Sequence, residues 1–416
     1  CGEFESIPVN QLRSFLKLAC RYIEHSLQAN RREDGLFHAY NILKLGQNTA
    51  EIGSLYEMLE GQVAILSSGL LSPQEALALL RRLRESALYR ADQHSYILYP
   101  DRDLPPFLVK NRLPSERVRE IDLAQALVGS DERSLIVQDE NGDYHFNGTF
   151  RNADDVRQAL ERLGQQEAYT HLVAADGEKI LSLFENVFQH DSFTGRSGTF
   201  FAYEGLGSIY WHMVSKLLLA AQENYLLAIT QKAEPGTIRG LYDCYYDIRK
   251  GLGFNKPPDV YGAFPTDPYS HTPKGQGAKQ PGMTGQVKEE VLTRQEEMGV
   301  VVEDGQIRFA PPLLRKEEFI IQPATFEYFD LEGDSQRMEL PAGSLAFTVC
   351  QTPVIYHADK KSGMEIHFSD GHTDEVSGSR LDYETSQRIF KRDGIIEKII
   401  VFLERVGENA DSLRLG

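Results

Sequence analysis

Apolar residues recur on one helical face through most of the chain up to about Val300. Leu12, Phe15, Leu16, Ala19, Ile23 and Leu27 fall at i, i+3, i+4, i+7, i+11 and i+15, the period of an amphipathic helix, with Asn10 where an N-cap belongs. A second helix is expected over about 55–66. Ser72-Pro73 followed by Glu75 opens a third, with Ser as cap and Pro in the first turn. Further helices are expected near 115–128, 153–163, 177–189, 204–230, 236–250 and 285–298. Helix pairs separated by long loops predict stacked helical hairpins rather than βαβ alternation. One small hairpin interrupts them near 135–147: Leu135, Ile136 and Val137 lead through Asn141-Gly142 to Tyr144 and Phe146.

Beyond Val300 the period shortens to two. Val300 to Val302, Asp304-Gly305 and Ile307 to Phe309 predict a hairpin. Leu345, Phe347 and Val349 alternate, as do Met364, Ile366 and Phe368 before Asp370-Gly371. Phe390, Asp393-Gly394 and Ile395 through Leu403 read as one more strand–turn–strand. The expected organisation is a helical domain over 1–310 and an antiparallel β-rich cap over 311–416, with the boundary near Pro311-Pro312.

The chain has 416 residues, enough for two domains, and an ordinary globular composition of 41% hydrophobic and 25% charged residues. Its net charge of -17 argues against nucleic acid or an anionic membrane surface as principal partner. A local basic pocket can still hold a small anion. No apolar run has the length of a membrane helix. Cys1, Cys20, Cys244 and Cys350 form no CxxC pair, so neither a disulfide framework nor a zinc site is expected. Cys1 in place of an initiator Met suggests a trimmed chain or the C-terminal portion of a longer protein. A cytoplasmic location is expected, with lipid anchoring through Cys1 left open.

The richest chemistry lies in YGAFPTDPYSHTPKGQGAKQPGMTGQVKEE, residues 261–290. A polar loop this long is unusual in a compact protein and suits an oxygen-rich ligand. Asp267 can transfer a proton; His271, Lys274 and Gln280 can hold an anion or sugar hydroxyls, with Tyr269 beside them. The second rich segment, DSFTGRSGTFFAYEGLGSIYWH over 191–212, offers Arg196, Tyr203, Glu204, Trp211 and His212. Aromatic faces beside carboxylates are what a pyranose site needs. Tyr210, Met213, Val214, Leu217 and Leu218 keep helical spacing, so core packing competes for this aromatic cluster. A third group, His94 to Asp103, brings Asp101, Arg102 and Asp103 near a Pro-rich turn. There is no GxSxG, GxxxxGK[ST] or HExxH motif. His367 and His372 straddle an Asp-Gly turn and make a poor metal pair, so no metal is expected.

Met283-Thr284-Gly285-Gln286, running into a helix through Arg294, is followed by Gly299-Val300, the hairpin through Gly305 and Ala310-Pro311-Pro312-Leu313. This order resembles the (α/α)6-barrel carbohydrate-active enzymes, particularly the cellobiose phosphorylase group of inverting glycoside phosphorylases and their hydrolase relatives. The resemblance implies an α/α-toroid-like domain with a C-terminal β-sandwich, and a Thr284-Gly285 loop that helps bind phosphate together with His271 and Lys274. The Asp-rich acid loop and the N-terminal β-sandwich of that group have no counterpart in this sequence.

The expected function is cleavage of a glycosidic bond with inversion, by phosphate or by water. Asp267 and Glu204 are the candidate acids, their roles unallocated. Arg196, Tyr203, Trp211, His212, Tyr269 and Gln280 are the candidate substrate-binding residues. Hydrolysis would require a second carboxylate at roughly 6.5–9.5 Å from the acid. No cofactor is expected beyond inorganic phosphate as co-substrate. The partner is an oligosaccharide or glycoside, completed by an upstream portion of the same protein if the chain is a fragment. A non-catalytic sugar-binding or scaffold module, and more distantly a polysaccharide lyase, stay open.

Overall fold

The computed structural model describes residues 6–101, 105–189, 207–265, 267–282, 285–359 and 362–404. The first helix, α1 (Val9–Ala29), starts one residue ahead of Asn10, whose Oδ1 instead accepts from the Gln11 amide. A hairpin follows, β1 (Asn41–Leu45) against β2 (Ala50–Ser54). Next come α2 (Leu59–Ser67) and α3 (Pro73–Glu85). The expected cap of α3 is present in full: Ser72 accepts from Glu75 N while Glu75 accepts from Ser72 N, which satisfies two otherwise orphaned donors.

A two-residue pairing of β3 (Tyr89–Arg90) with β4 (Ser95–Tyr96) leads into α4 (Phe107–Lys110), α5 (Ser115–Arg119) and α6 (Asp122–Gly129). The hairpin β5 (Ile136–Gln138) and β6 (Tyr144–Phe146) stands where Asn141-Gly142 predicts it. Then follow α7 (Ala153–Gly164) and α8 (Thr170–Phe188). Asn152 caps α7 by accepting from the amides of Asp154 and Asp155.

This stretch has its own hydrophobic core, built from Leu123, Leu127, Ile136, Phe146, Val156 and Phe184 among others. Asp176 ties it together: it is buried, accepts from Leu123 N at 3.0 Å and pairs with Lys179 at 2.7 Å. The expected single helical domain over 1–310 therefore contains two separate apolar clusters. A sequence pattern reports which residues face inward, not which inward faces meet.

The remaining helices, α9 (Trp211–Thr230) and α10 (Pro235–Lys250), pack with α2 and α3 around Leu59, Leu83, Trp211, Leu217, Tyr225 and Tyr245. β7 (Ile209–Tyr210) leads directly into α9, and α11 (Pro258–Tyr261), β8 (Tyr269–Thr272), β9 (Gln280–Pro281) and α12 (Gly285–Glu297) follow α10 before the cap.

The hairpin β10 (Val300–Glu303) and β11 (Gln306–Phe309) shares the third core: Val300, Ile307 and Phe309 cluster with Tyr356, Ile366 and Ile399. It thus packs with the cap rather than with the helices. The cap continues with the hairpin β12 (Ala324–Phe329) and β13 (Ser335–Leu340). Then come β14 (Ser344–Val349), β15 (Thr352–Asp359), β16 (Gly363–Phe368), β17 (Thr373–Val376), α13 (Tyr383–Lys391) and β18 (Ile396–Glu404). Five strands form one sheet in the order β14-β15-β18-β16-β17. Period-two patterning predicts antiparallel neighbours, yet β15 and β18 run parallel. The crossover that parallel pairing needs passes through α13. Phe390 accordingly lies in a helix, not a strand: Asp382 caps α13 by accepting from Thr385 N, and Ile389 turns inward.

Candidate functional site

Three strand fragments bring the two ligand-rich segments together. β7 pairs with β8, Ile209 opposite Thr272 and Tyr210 opposite His271, and β8 pairs with β9, His271 opposite Gln280. The Tyr210 and His271 rings stack, with centroids 5.0 Å apart and planes 19° apart. The third group joins them: Asp101 pairs with Lys274, and Arg90 donates to the carbonyls of Gly207 at 3.3 Å and Thr272 at 3.4 Å. The described end of 191–212, the 261–290 loop and the 94–103 turn thus meet on one rim. Arg196, Tyr203, Glu204 and Thr284 lie outside the described residues.

Trp211 does not line this rim. It is fully buried, its Nε1 donates to Thr272 Oγ1 at 2.9 Å, and Tyr261 packs against it at 5.2 Å. The helical spacing that competes for this indole in the sequence wins, and its role is to fix β8 from beneath. The Lys256 ammonium sits 4.8 Å from the Trp211 ring, buried and without a hydrogen-bond partner. Burial pushes it down to about 8.

His212, one residue on, sits at the first turn of α12. A Cβ added to Gly285 would lie 2.1 Å from His212 Nε2, so any larger residue there would have to displace the imidazole. Glu289 Oε1 lies 3.6 Å from the same nitrogen. Burial and the Lys216 cation hold His212 below its ordinary value, and Glu289 partly offsets them. A helix start carries unpaired amides and the positive end of the macrodipole, a natural place for an anion. Tyr269 and His271 are half-buried, whereas Asp267, Lys274 and Gln280 are exposed.

α12 also holds residues that sequence reasoning passed over. Gln286, Glu289, Thr293 and Glu297 are buried, while Val287, Val291 and Leu292 face solvent. Glu297 is fully buried between Arg249 at 2.8 Å and Arg294 at 2.7 Å, and accepts from Tyr245 OH. Glu290 accepts from Gln286 Nε2 at 3.1 Å; burial raises its pKa, with Gln286 and Arg249 opposing. The signal was available: polar residues at 286, 289, 293 and 297 follow helical spacing as regularly as an apolar stripe does.

Several other polar side chains serve local structure. Glu57 pairs with Arg32 at 3.3 Å, Tyr40 donates to Glu60 at 3.0 Å, and His94 Nε2 lies 3.0 Å from the Asp247 carbonyl. His367 and His372 each pair with a neighbouring carboxylate, Glu365 and Asp374. Among the described residues no group of His, Cys, Asp and Glu side chains is arranged to hold a metal ion, and no helix is long and apolar enough to cross a membrane.

Residues 104–191 match the family model of GH149 phosphorylase insertion domain 2. The matched range coincides with the second hydrophobic core, residues 113–188. No curated protein matches the chain. The match supports a protein related to glycoside phosphorylases.

Proposed function

We propose that the rim around His212 and Gly285 is the anion-binding part of a glycoside phosphorylase site, and that the chain takes part in inverting phosphorolysis of an oligosaccharide. The observation that carries this reading is the close packing of His212 on Gly285 at the start of α12, on the same rim as His271 and Lys274. The match of 104–191 to a phosphorylase insertion domain supports it independently. In this reading the helices around α9, α10 and α12 belong to an α/α-toroid-like domain, and the C-terminal sheet to a β-sandwich cap.

Inorganic phosphate is the co-substrate, held by the Thr284-Gly285 amides, His212, His271 and Lys274. Arg196, Tyr203, Tyr269 and Gln280 hold the sugar. A phosphate oxygen attacks the anomeric carbon as the glycosidic C–O bond breaks, and a carboxylic acid gives its proton to the leaving oxygen. The products are an inverted sugar 1-phosphate and the shortened acceptor. Because phosphate is already a nucleophile, one acid suffices and no general base is needed. Asp267, exposed in the loop, is assigned that role.

The test is product release from a panel of α- and β-linked oligosaccharides, with and without phosphate. Sugar 1-phosphate formed only with phosphate, and lost in Asp267→Asn, supports the reading. Free sugar formed without phosphate replaces it with hydrolysis, and an ultraviolet-absorbing unsaturated product replaces it with a lyase.

A further inference from the structure

Lys256 Nζ, Ser95 Oγ and Gln93 Oε1 are buried beneath the rim with no hydrogen-bond partner among the described residues. Their residues are 5%, 1% and 9% exposed, so bulk water does not satisfy them. The three belong to one shell around Trp211. Ser95 stands opposite Arg90 in the β3–β4 pair, and the Arg90 guanidinium reaches the Thr272 carbonyl at 3.4 Å. Thr272 Oγ1 accepts from the Trp211 indole, whose ring lies 4.8 Å from Lys256 Nζ. Gln93 closes the shell from the other side, donating at 2.8 Å to the carbonyl of Val260 in the segment that follows Lys256.

Lys256 is the reactive member. Burial first, and the Arg90 cation second, push its amine down to about 8, with Asp92 opposing them. An amine desolvated beside a cation in this way is a nucleophile near neutral pH. A reagent that reaches it has to be small and uncharged. The product has to offer an N–H to Gln93 Oε1 and an oxygen to Ser95 Oγ. Its charge has to suit Arg90, whose side chain is 9% exposed; Asp92, the partner of Arg90, is 61% exposed and screened by water. An imine formed from an aldehyde has neither the N–H nor the anionic oxygen. The carbamate formed from carbon dioxide has both.

We propose that Lys256 is a carboxylation site, taking carbon dioxide to form a carbamate beside the indole that supports β8. The amine lone pair attacks the carbon and an N–C bond forms. One C–O π bond closes onto oxygen, an N–H proton leaves to water, and nothing is oxidised or reduced. The remaining N–H donates to Gln93, while the carbamate oxygens accept from Ser95 and face Arg90. This does not rest on the phosphorylase reading.

The test is NMR of the full chain in buffer containing carbon-labelled bicarbonate, which supplies dissolved carbon dioxide. A lysine carbamate resonance is expected in the wild type. Modification needs the free amine and releases a proton. At fixed dissolved carbon dioxide the modified-to-free ratio should therefore rise by more than about tenfold from pH 7 to pH 8. Lys256→Met and Lys256→Arg are each expected to lose the resonance with the melting curve retained, so one folded variant suffices. Ser95→Ala should lower the ratio at least about threefold, because one donor to the carbamate is gone. Absence of the resonance at saturating carbon dioxide overturns the proposal. So does a resonance that persists without Lys256, which marks the α-amino group or an exposed lysine, or a ratio unchanged in Ser95→Ala.

Discussion

Two helices of this chain break the usual amphipathic arrangement in opposite senses. α1 turns its apolar stripe to water and buries nothing, whereas α12 turns Gln286, Glu289, Thr293 and Glu297 inward and leaves Val287, Val291 and Leu292 exposed. The polar face of α12 survives burial because it has partners: two arginines and a tyrosine at Glu297, a histidine at Glu289. The apolar face of α1 has a partner only at its C-terminal end, where the partly buried Leu27 packs against the first core. Periodicity establishes that a helix forms; which face turns inward depends on what the rest of the molecule offers it.

The sharpest way to break this contrast is to remove the centre of the α12 network. Glu297→Ala leaves the largely buried Arg249 without its carboxylate and Arg294 with Glu318 alone, and is expected to cost about 3–5 kcal/mol in urea denaturation. A loss near zero would mean that the buried polar face is incidental. Gly285→Ala comes next, with an expected cost of about 1–3 kcal/mol from the clash with His212. It should also displace the start of α12 and abolish any stabilisation by phosphate in thermal melting.

A smaller effect follows from His212. Its folded value lies below its ordinary one, so between the two the unfolded chain holds a proton that the folded chain does not. Stability is therefore expected to fall as pH drops below about 6.5. His212→Asn should flatten that part of the profile. The smallest effect is on α1: Leu16→Glu should change stability by no more than about 0.5 kcal/mol, because the side chain contacts no core. A larger loss would mean that α1 is packed after all and that the two helices do not differ in kind.

Much of this arrangement was legible in the sequence. The Ser72 capping box, the Asn141-Gly142 hairpin and the helices over 211–230 and 235–250 follow from local chemistry and periodicity. The meeting of the 94–103, 207–212 and 261–290 segments could be suspected from their residue types. Only tertiary pairing, Tyr210 on His271 and Asp101 on Lys274, brings it about. The burial of Trp211 was the harder judgement, since the same indole suits a sugar platform and a core. The second core within 104–191 has no local signature at all; it depends on distant contacts such as Asp176 with the Leu123 amide. The helix over 383–391 was obscured because Phe390 beside Asp393-Gly394 also satisfies a strand–turn pattern.

The most direct test of the central claim is titration calorimetry of inorganic phosphate into the wild-type chain and into His212→Asn. A site built on His212 and the start of α12 predicts saturable binding in the wild type. In the variant it predicts affinity lower by at least about tenfold, the scale of one lost charge-assisted hydrogen bond, with the melting curve retained. Absence of saturable binding, or equal affinity in both proteins, would contradict an anion site at this corner.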